Sequence, residues 1–220
     1  MPSYKNIPEF GPLTKGSPKG LVIALHGWGS NGEDLIALAP HFAAMLPEVK
    51  FISPHAPEVC DMAPTGRQWF SLREWTEKAM LEGLRSASIW LNDFIDKQRA
   101  HYCLQDNQIA LVGFSQGTMT ALHVGLRRPN ALAGILGYSG ALVAPDLLGG
   151  ELKAKPPVCL IHGNLDTVVP YQALQIASDA LNHHNIAVET YTMLNIPHSI
   201  NLHGLEKGKN FLAQALNINP

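Results

Sequence analysis

Six apolar runs of strand length recur along this chain, at residues 21–25, 51–53, 109–112, 133–138, 158–161 and 187–194. Most read as unbroken Val, Ile, Leu and Ala rather than as apolar residues alternating with polar ones. A strand reads that way when both of its faces are covered, as in a parallel sheet. Stretches with helical periodicity lie between them, at 33–46, 73–98, 117–128, 171–183 and 205–216. The longest offers Trp75, Ala79, Leu84, Ile89, Trp90 and Phe94 to an inner face. The alternation predicts an α/β fold in one domain spanning 1–220, with a mostly parallel central sheet and helices on both faces. Ligand sites in such sheets lie beyond the carboxyl ends of the strands, so the residues just after each run carry the functional argument.

Composition narrows the possibilities. Of 220 residues 46% are hydrophobic, enough for a substantial core. Sixteen basic against eighteen acidic residues give a net charge of −2, which leaves no electrostatic footprint for nucleic acid. The three cysteines, Cys60, Cys103 and Cys159, match no zinc spacing, and Cys159 reads as a buried thiol. The histidines include no H-E-x-x-H, so a metal hydrolase is disfavoured. Residues 1–20 lack the apolar run of a signal peptide, and no stretch approaches the roughly 20 apolar residues of a membrane span. A soluble, cytoplasmic protein is expected.

The run at 109–112 leads into Gly113-Phe114-Ser115-Gln116-Gly117. This is G-x-S-x-G between a strand and a helix. The chain must turn sharply there, and glycines at 113 and 117 let strand and helix approach closely. Ser115 would project into the cleft as a nucleophile beside the free N–H groups of a helix start. A serine hydroxyl is a weak nucleophile, so a base must take its proton and a carboxylate must orient that base. At such elbows the partners follow in the order Ser, Asp or Glu, His. Asp166, in the loop after 158–161, is the first candidate acid, with Asp146 second; Asp179 and Glu189 fall inside elements. His198, in Ile196-Pro197-His198-Ser199-Ile200, follows the last run and is the candidate base. His183 and His184 close a helix, and His203 opens one.

The first run leads into His26-Gly27-Trp28-Gly29-Ser30-Asn31-Gly32. The N–H of Trp28, with that of Gln116, could hold a developing oxyanion. His26 reads as a structural hydrogen-bonding group. The same loop spells G-x-G-x-x-G, the dinucleotide fingerprint, and so raises a cofactor-dependent oxidoreductase as a rival. That rival wants an acid about 20 residues on, whereas the second run ends Ile52-Ser53-Pro54. A non-catalytic binding protein on the same fold is the other alternative; it would need a missing triad member or a blocked groove.

Taken together, the His-Gly loop at 26–35, Gln68-Trp69-Phe70, Gly113–Gly117, the loop at 162–170 and His198-Ser199-Ile200 resemble the phospholipase/carboxylesterase family, which includes the acyl-protein thioesterases. The resemblance implies an α/β-hydrolase fold without a large cap domain, needing no metal or cofactor. It implies a triad at Ser115, Asp166 and His198 and oxyanion donors at Trp28 and Gln116. It also implies a small-molecule or lipid acyl ester or thioester as substrate, and a homodimer as the expected assembly. Where members often carry Gly before the histidine, this chain has Pro197, which stiffens that loop. The apolar segment at 60–72 either lines an acyl groove with Trp28, through Met62, Trp69, Phe70 and Leu72, or pins itself to the core through Trp69 and Phe70.

Overall fold

A computed structural model describes residues 6–217. In chain order its elements are β1 (Glu9–Phe10), β2 (Gly20–Leu25), α1 (Gly32–Ile36), α2 (Ala39–Ala43), β3 (Val49–Ile52), β4 (Glu58–Val59), β5 (Arg67–Gln68), α3 (Glu77–His101), β6 (Ile109–Phe114), α4 (Gln116–Gly125), β7 (Gly134–Tyr138), α5 (Leu148–Glu151), β8 (Val158–Gly163), α6 (Gln172–His183), β9 (Val188–Met193) and α7 (Leu202–Ala215).

Seven strands form one sheet in the order β1-β3-β2-β6-β7-β8-β9, and β4 and β5 form a separate hairpin. Every pairing in the sheet is parallel except that of β1 with β3. From β2 the chain moves outward to β3, then returns to place β6 on β2's other side. The winding direction therefore reverses between β2 and β6. That switch point opens a crevice at their carboxyl ends, where Leu25 pairs with Gly113.

Strand alternation divides the apolar residues between two cores. Leu21, Ile23, Leu25, Ile109 and Leu111 face a cluster built with α3, α4 and α6. Val22, Ala110, Val112 and Leu136 face a second cluster with α2 and α7. Both faces are thus covered, which accounts for the unbroken apolar runs. The buried stripe of α3 is Leu81, Leu84, Ala87, Leu91, Phe94 and Ile95. Each fully buried large side chain of this kind contributes roughly 1.5–3 kcal/mol.

Three sequence expectations change. The helix anticipated at 33–46 is two short helices, because Pro40 lacks an N–H and would clash with the carbonyl of Ile36, where α1 stops. The long helix begins at Glu77, since the Thr76 hydroxyl accepts the N–H of Ala79 and caps it. Trp75 therefore lies outside α3, and Ile89 points to solvent at 76% exposure; neither joins the inner face. Strand β1 and the β4–β5 hairpin, two residues each, are too short to leave a periodic signal. No helix among the described residues is long and apolar enough to cross a membrane.

Two buried histidines tie stability to pH. His26 accepts the N–H of Ala56 at Nε2 (3.0 Å), so Nδ1 carries the proton and donates to the carbonyl of Gly27 (2.8 Å). Burial lowers its pKa to about 4, with nearby His55 adding to that effect. His123 on α4 is lowered to about 4 by burial and by Arg127. Both are neutral in the folded protein, whereas the unfolded chain protonates them near 6.5. The unfolded state thus binds more protons between about pH 6.5 and 4, and their contribution is lost as pH falls through that window. We expect stability to drop by ~2 kcal/mol per histidine between pH 7.5 and 5. Urea denaturation at the two pH values checks this, and His123→Leu should remove about half of the drop. An unchanged pH dependence in that variant would exclude His123 as a contributor.

Candidate active site

Ser115 stands where β6 ends and α4 begins, with φ 55° and ψ −117°. A non-glycine residue held there is strained. The turn is fastened on both sides: its N–H donates to the carbonyl of Tyr138 (2.9 Å), and its carbonyl accepts from Thr118 (2.9 Å). The close approach expected at the flanking glycines is present. A Cβ at Gly113 would collide with the backbone of Gly117 and Thr118, and one at Gly117 with the carbonyl of Leu25. The strand–elbow–helix geometry thus presses Ser115 against the switch-point crevice.

Asp166 follows β8 and His198 follows β9, so both come from carboxyl ends on the same side of the sheet. His198 Nδ1 donates to Asp166 Oδ2 at 2.7 Å. The other oxygen, Oδ1, accepts the N–H groups of Val168 and Val169, each at 2.9 Å. Burial pushes the Asp166 carboxyl up. The His198 bond and the two amides outweigh it and hold the pKa below the usual carboxylate range, so the group is ionised at neutral pH. With Nδ1 committed to Asp166, Nε2 of His198 is the nitrogen left to exchange a proton. The His198 ring also leans on Phe114, with centroids 4.8 Å apart. The loop around Pro197 rests directly on Gly163, where any Cβ would strike the carbonyls of Ile196 and Pro197.

Sequence reasoning passed over His162, because it precedes the acid. It is buried, and its Nε2 lies 3.2 Å from Asp166 Oδ2 and 3.0 Å from the carbonyl of Val169. Both neighbours are acceptors, so Nε2 carries the proton. Asp166 thus accepts three hydrogen bonds, from His198, Val168 and Val169, while the His162 ring donates to the Val169 carbonyl and packs its edge against the carboxylate. Asp146, the second candidate, is exposed on the short turn Pro145–Leu147. His183 and His203 are exposed and His184 half-buried.

Ser115 and His198 open onto one cavity of about 810 Å³, also lined by Trp28, Gln116, Met62 and Leu72. The structure adds Trp75, Met119 and Ile200 to its wall. Trp69 and Phe70 do not line it. Each is only 1% exposed and packs into the α3 core, so for these two the core-pinning alternative holds. The indole N–H of Trp69 donates inward to the carbonyl of His26 (2.9 Å). An indole buried with that bond satisfied has no reason to face a groove.

The G-x-G-x-x-G loop is put to other uses. Asn31 caps α1 by accepting the N–H groups of Glu33 and Asp34 (2.8 and 3.3 Å), and Gly32 donates to His55 (3.2 Å). These are the amides a dinucleotide pyrophosphate would need, and α1 runs for only five residues.

The chain is similar to known proteins along almost its whole length. The family model for phospholipase/carboxylesterase matches residues 14–216. Acyl-protein thioesterase 1 of Neurospora crassa is 30% identical over 216 residues, covering 89% of this chain and 86% of that protein. The crystal structure of esterase PE8 superposes with a TM-score of 0.91 at 39% identity, covering 96% of this chain and 98% of that one. Acyl-protein thioesterase 2 of Zea mays superposes at 0.77 with 23% identity, covering 97% and 100%, a likeness of fold. The fold is that of the α/β hydrolases, with no large cap domain among the described residues. With residues 14–216 of its 220 matched by the family model, the chain belongs to the phospholipase/carboxylesterase family.

Proposed function

We propose that the protein hydrolyses acyl esters and thioesters, with Ser115 as nucleophile, His198 as base and Asp166 as the acid that orients it. The observation that carries this reading is the 2.7 Å bond from His198 to Asp166, with the same imidazole sharing a cavity with Ser115. Membership of the family and the names of its relatives, thioesterases and an esterase, support it.

The chemistry follows from the proton positions. His198 Nε2 takes the Ser115 proton as the hydroxyl oxygen adds to the acyl carbon. The N–H groups of Trp28 and Gln116 receive the oxyanion. The tetrahedral adduct collapses, the C–O or C–S bond breaks, and the imidazolium returns its proton to the leaving alcohol or thiol. Water, deprotonated by the same nitrogen, then cleaves the acyl-serine ester to the free acid and restores Ser115. Asp166, ionised throughout, stabilises the imidazolium in both halves. The apolar wall at Trp28, Met62, Leu72 and Trp75 suits an acyl chain, and Met62 and Trp75 are 79% and 61% exposed at its rim.

A panel of p-nitrophenyl esters and acyl thioesters of increasing chain length tests the substrate class. Hydrolysis in both series is the expected result; no turnover of either would defeat the reading. Asp166→Asn should lower kcat by about 10⁴-fold, because the imidazole loses its partner and its tautomer. Asp146→Asn should leave kcat within about twofold. A larger loss in the Asp146 variant would reassign the acid.

A further inference from the structure

The two amides that receive the oxyanion in the reading above belong to segments 88 residues apart in sequence (116 − 28), and one short rib of chain is bonded to both. That rib is Arg67 to Phe70. Towards the first loop, the carbonyl of Arg67 accepts from Gly29 (3.0 Å) and its N–H donates to Ser30 (2.7 Å). The carboxamide oxygen of Gln68 accepts the indole N–H of Trp28 (3.0 Å), and the indole of Trp69 donates to the carbonyl of His26 (2.9 Å). Towards the elbow, the Gln116 side chain reaches across. Its oxygen accepts the N–H of Trp69 (2.9 Å), and its amide nitrogen donates to the carbonyl of Phe70 (2.8 Å). Gln116, Gln68 and Trp69 are each no more than 2% exposed. The bonds of the Gln116 carboxamide and the Trp69 indole therefore run inside a low-dielectric interior, where geometry is strictly held, while those of the Gln68 carboxamide are part-buried.

We infer that the side chains of Gln116, Gln68 and Trp69 are positioning residues that set the spacing of the two oxyanion amides, by hanging Trp28 and Gln116 on opposite sides of a single rib. The Gln116 carboxamide occupies its bonding sites on the rib like a neighbouring strand, so the elbow cannot shift without breaking both. Gln68 is the second clasp: its oxygen also accepts the N–H of Asp61 (3.0 Å) and its nitrogen donates to Glu58 (3.1 Å), which fixes the carboxamide that holds Trp28. The same rib joins the cavity wall residues Met62 on one side and Leu72 and Trp75 on the other. Oxyanion donors act only when aimed at where the charge develops, so a change in their spacing costs turnover and not substrate binding.

This inference rests on the hydrolase reading, and the test separates the two. Gln116→Met keeps length and burial while removing both bonds, Gln68→Met removes the second clasp, and Trp69→Phe deletes one donor and keeps a ring. Each is compared with wild type for kcat and KM on a p-nitrophenyl ester, for affinity towards an alkylboronic acid that forms a tetrahedral serine adduct, and for melting temperature. The expected result for Gln116→Met is a kcat about 10²-fold lower with a parallel loss of boronate affinity and KM within about threefold. Trp69→Phe should lose about tenfold in kcat and melt within a few degrees of wild type. Because either clasp severs the same unit, Gln68→Met and Gln116→Met together should lose about what the worse single loses. Folded variants with wild-type kcat, a change in KM alone, or fully additive losses would overturn the inference. If Gln116→Met fails to fold, the other two variants decide it on the same criteria. A wild-type protein without Ser115-dependent turnover removes the hydrolase reading and this inference together, whereas active wild type beside unimpaired variants removes the rib alone.

Discussion

Ser115→Ala should reduce kcat by about 10⁴- to 10⁶-fold while leaving KM and the melting temperature close to wild type. The size of the loss follows from the absence of a substitute at the elbow. Ser30 and Ser199 also reach the cavity wall, but Ser30 donates to Asp34 (2.7 Å) on the exposed rim. Ser199 sits beside His198 in its loop, not at a helix start. His26, the other imidazole in the wall, has both ring nitrogens engaged with the backbone and stays neutral. Among the described residues only Ser115 combines the strained turn, the start of a ten-residue helix and a cavity shared with His198. A fluorophosphonate probe should label the wild type at Ser115 and leave the alanine variant unlabelled. Label recovered on Ser199 or Ser30 by peptide mapping, or a variant retaining most of its turnover, would remove Ser115 as the nucleophile. Stability should hold because alanine occupies the same backbone position without disturbing the bonds to Tyr138 and Thr118, which are made by main-chain atoms.

Gly117→Ala should have the largest effect on stability of any single methyl added near the site. The new Cβ would overlap the carbonyl oxygen of Leu25 and press on that of His26. Both obstacles are backbone, so no side-chain rotation relieves them. Strand β2 and helix α4 would have to separate in an interior packed like a crystal. We expect a loss of about 4 kcal/mol or more, equivalent to a melting temperature lower by about 10 °C in a chain of this size. Activity should fall with it, because Leu25 leads straight into the loop that carries Trp28. Gly150→Ala is the control. Nothing lies within 4 Å of a Cβ there, and the change should stay within about 0.5 kcal/mol. Calorimetry on the three proteins separates a steric cause from a general intolerance of glycine replacement. Gly117→Ala melting within about 2 °C of wild type would show that β2 and α4 are not in the contact described.

What local pattern can determine, it determined here. Whether a segment is a doubly covered strand depends on its own composition, so the parallel sheet was legible from runs such as 109–112 and 158–161. The elbow was legible for the same reason: the tight turn, the glycines and the serine are all neighbours in sequence. Asp166 and His198 were legible because each stands just beyond a readable strand, in the order that the elbow's chemistry requires. Their meeting at 2.7 Å is a tertiary fact, but the end of the sheet where it happens follows from strand direction alone. The direction a loop side chain takes is not local. Trp69 and Phe70 are as apolar as Met62 and Leu72, yet they turn into the core because a carbonyl at His26 and a carboxamide at Gln116 await their polar atoms there. Helical periodicity alone puts Trp75 on a helix face, yet it walls the cavity, because Thr76 caps the helix one residue later. His162 carries no signal that distinguishes it from a structural histidine until β8 and its loop fold back to bring its ring to Asp166. Sequence thus decided which elements form and which residues stand at their ends. Tertiary structure decided which of those residues face solvent, core or one another; for Trp69 and Phe70 that depends on bonding partners more than 40 positions away, and for Asp166 on a histidine 32 positions on, which no local window contains.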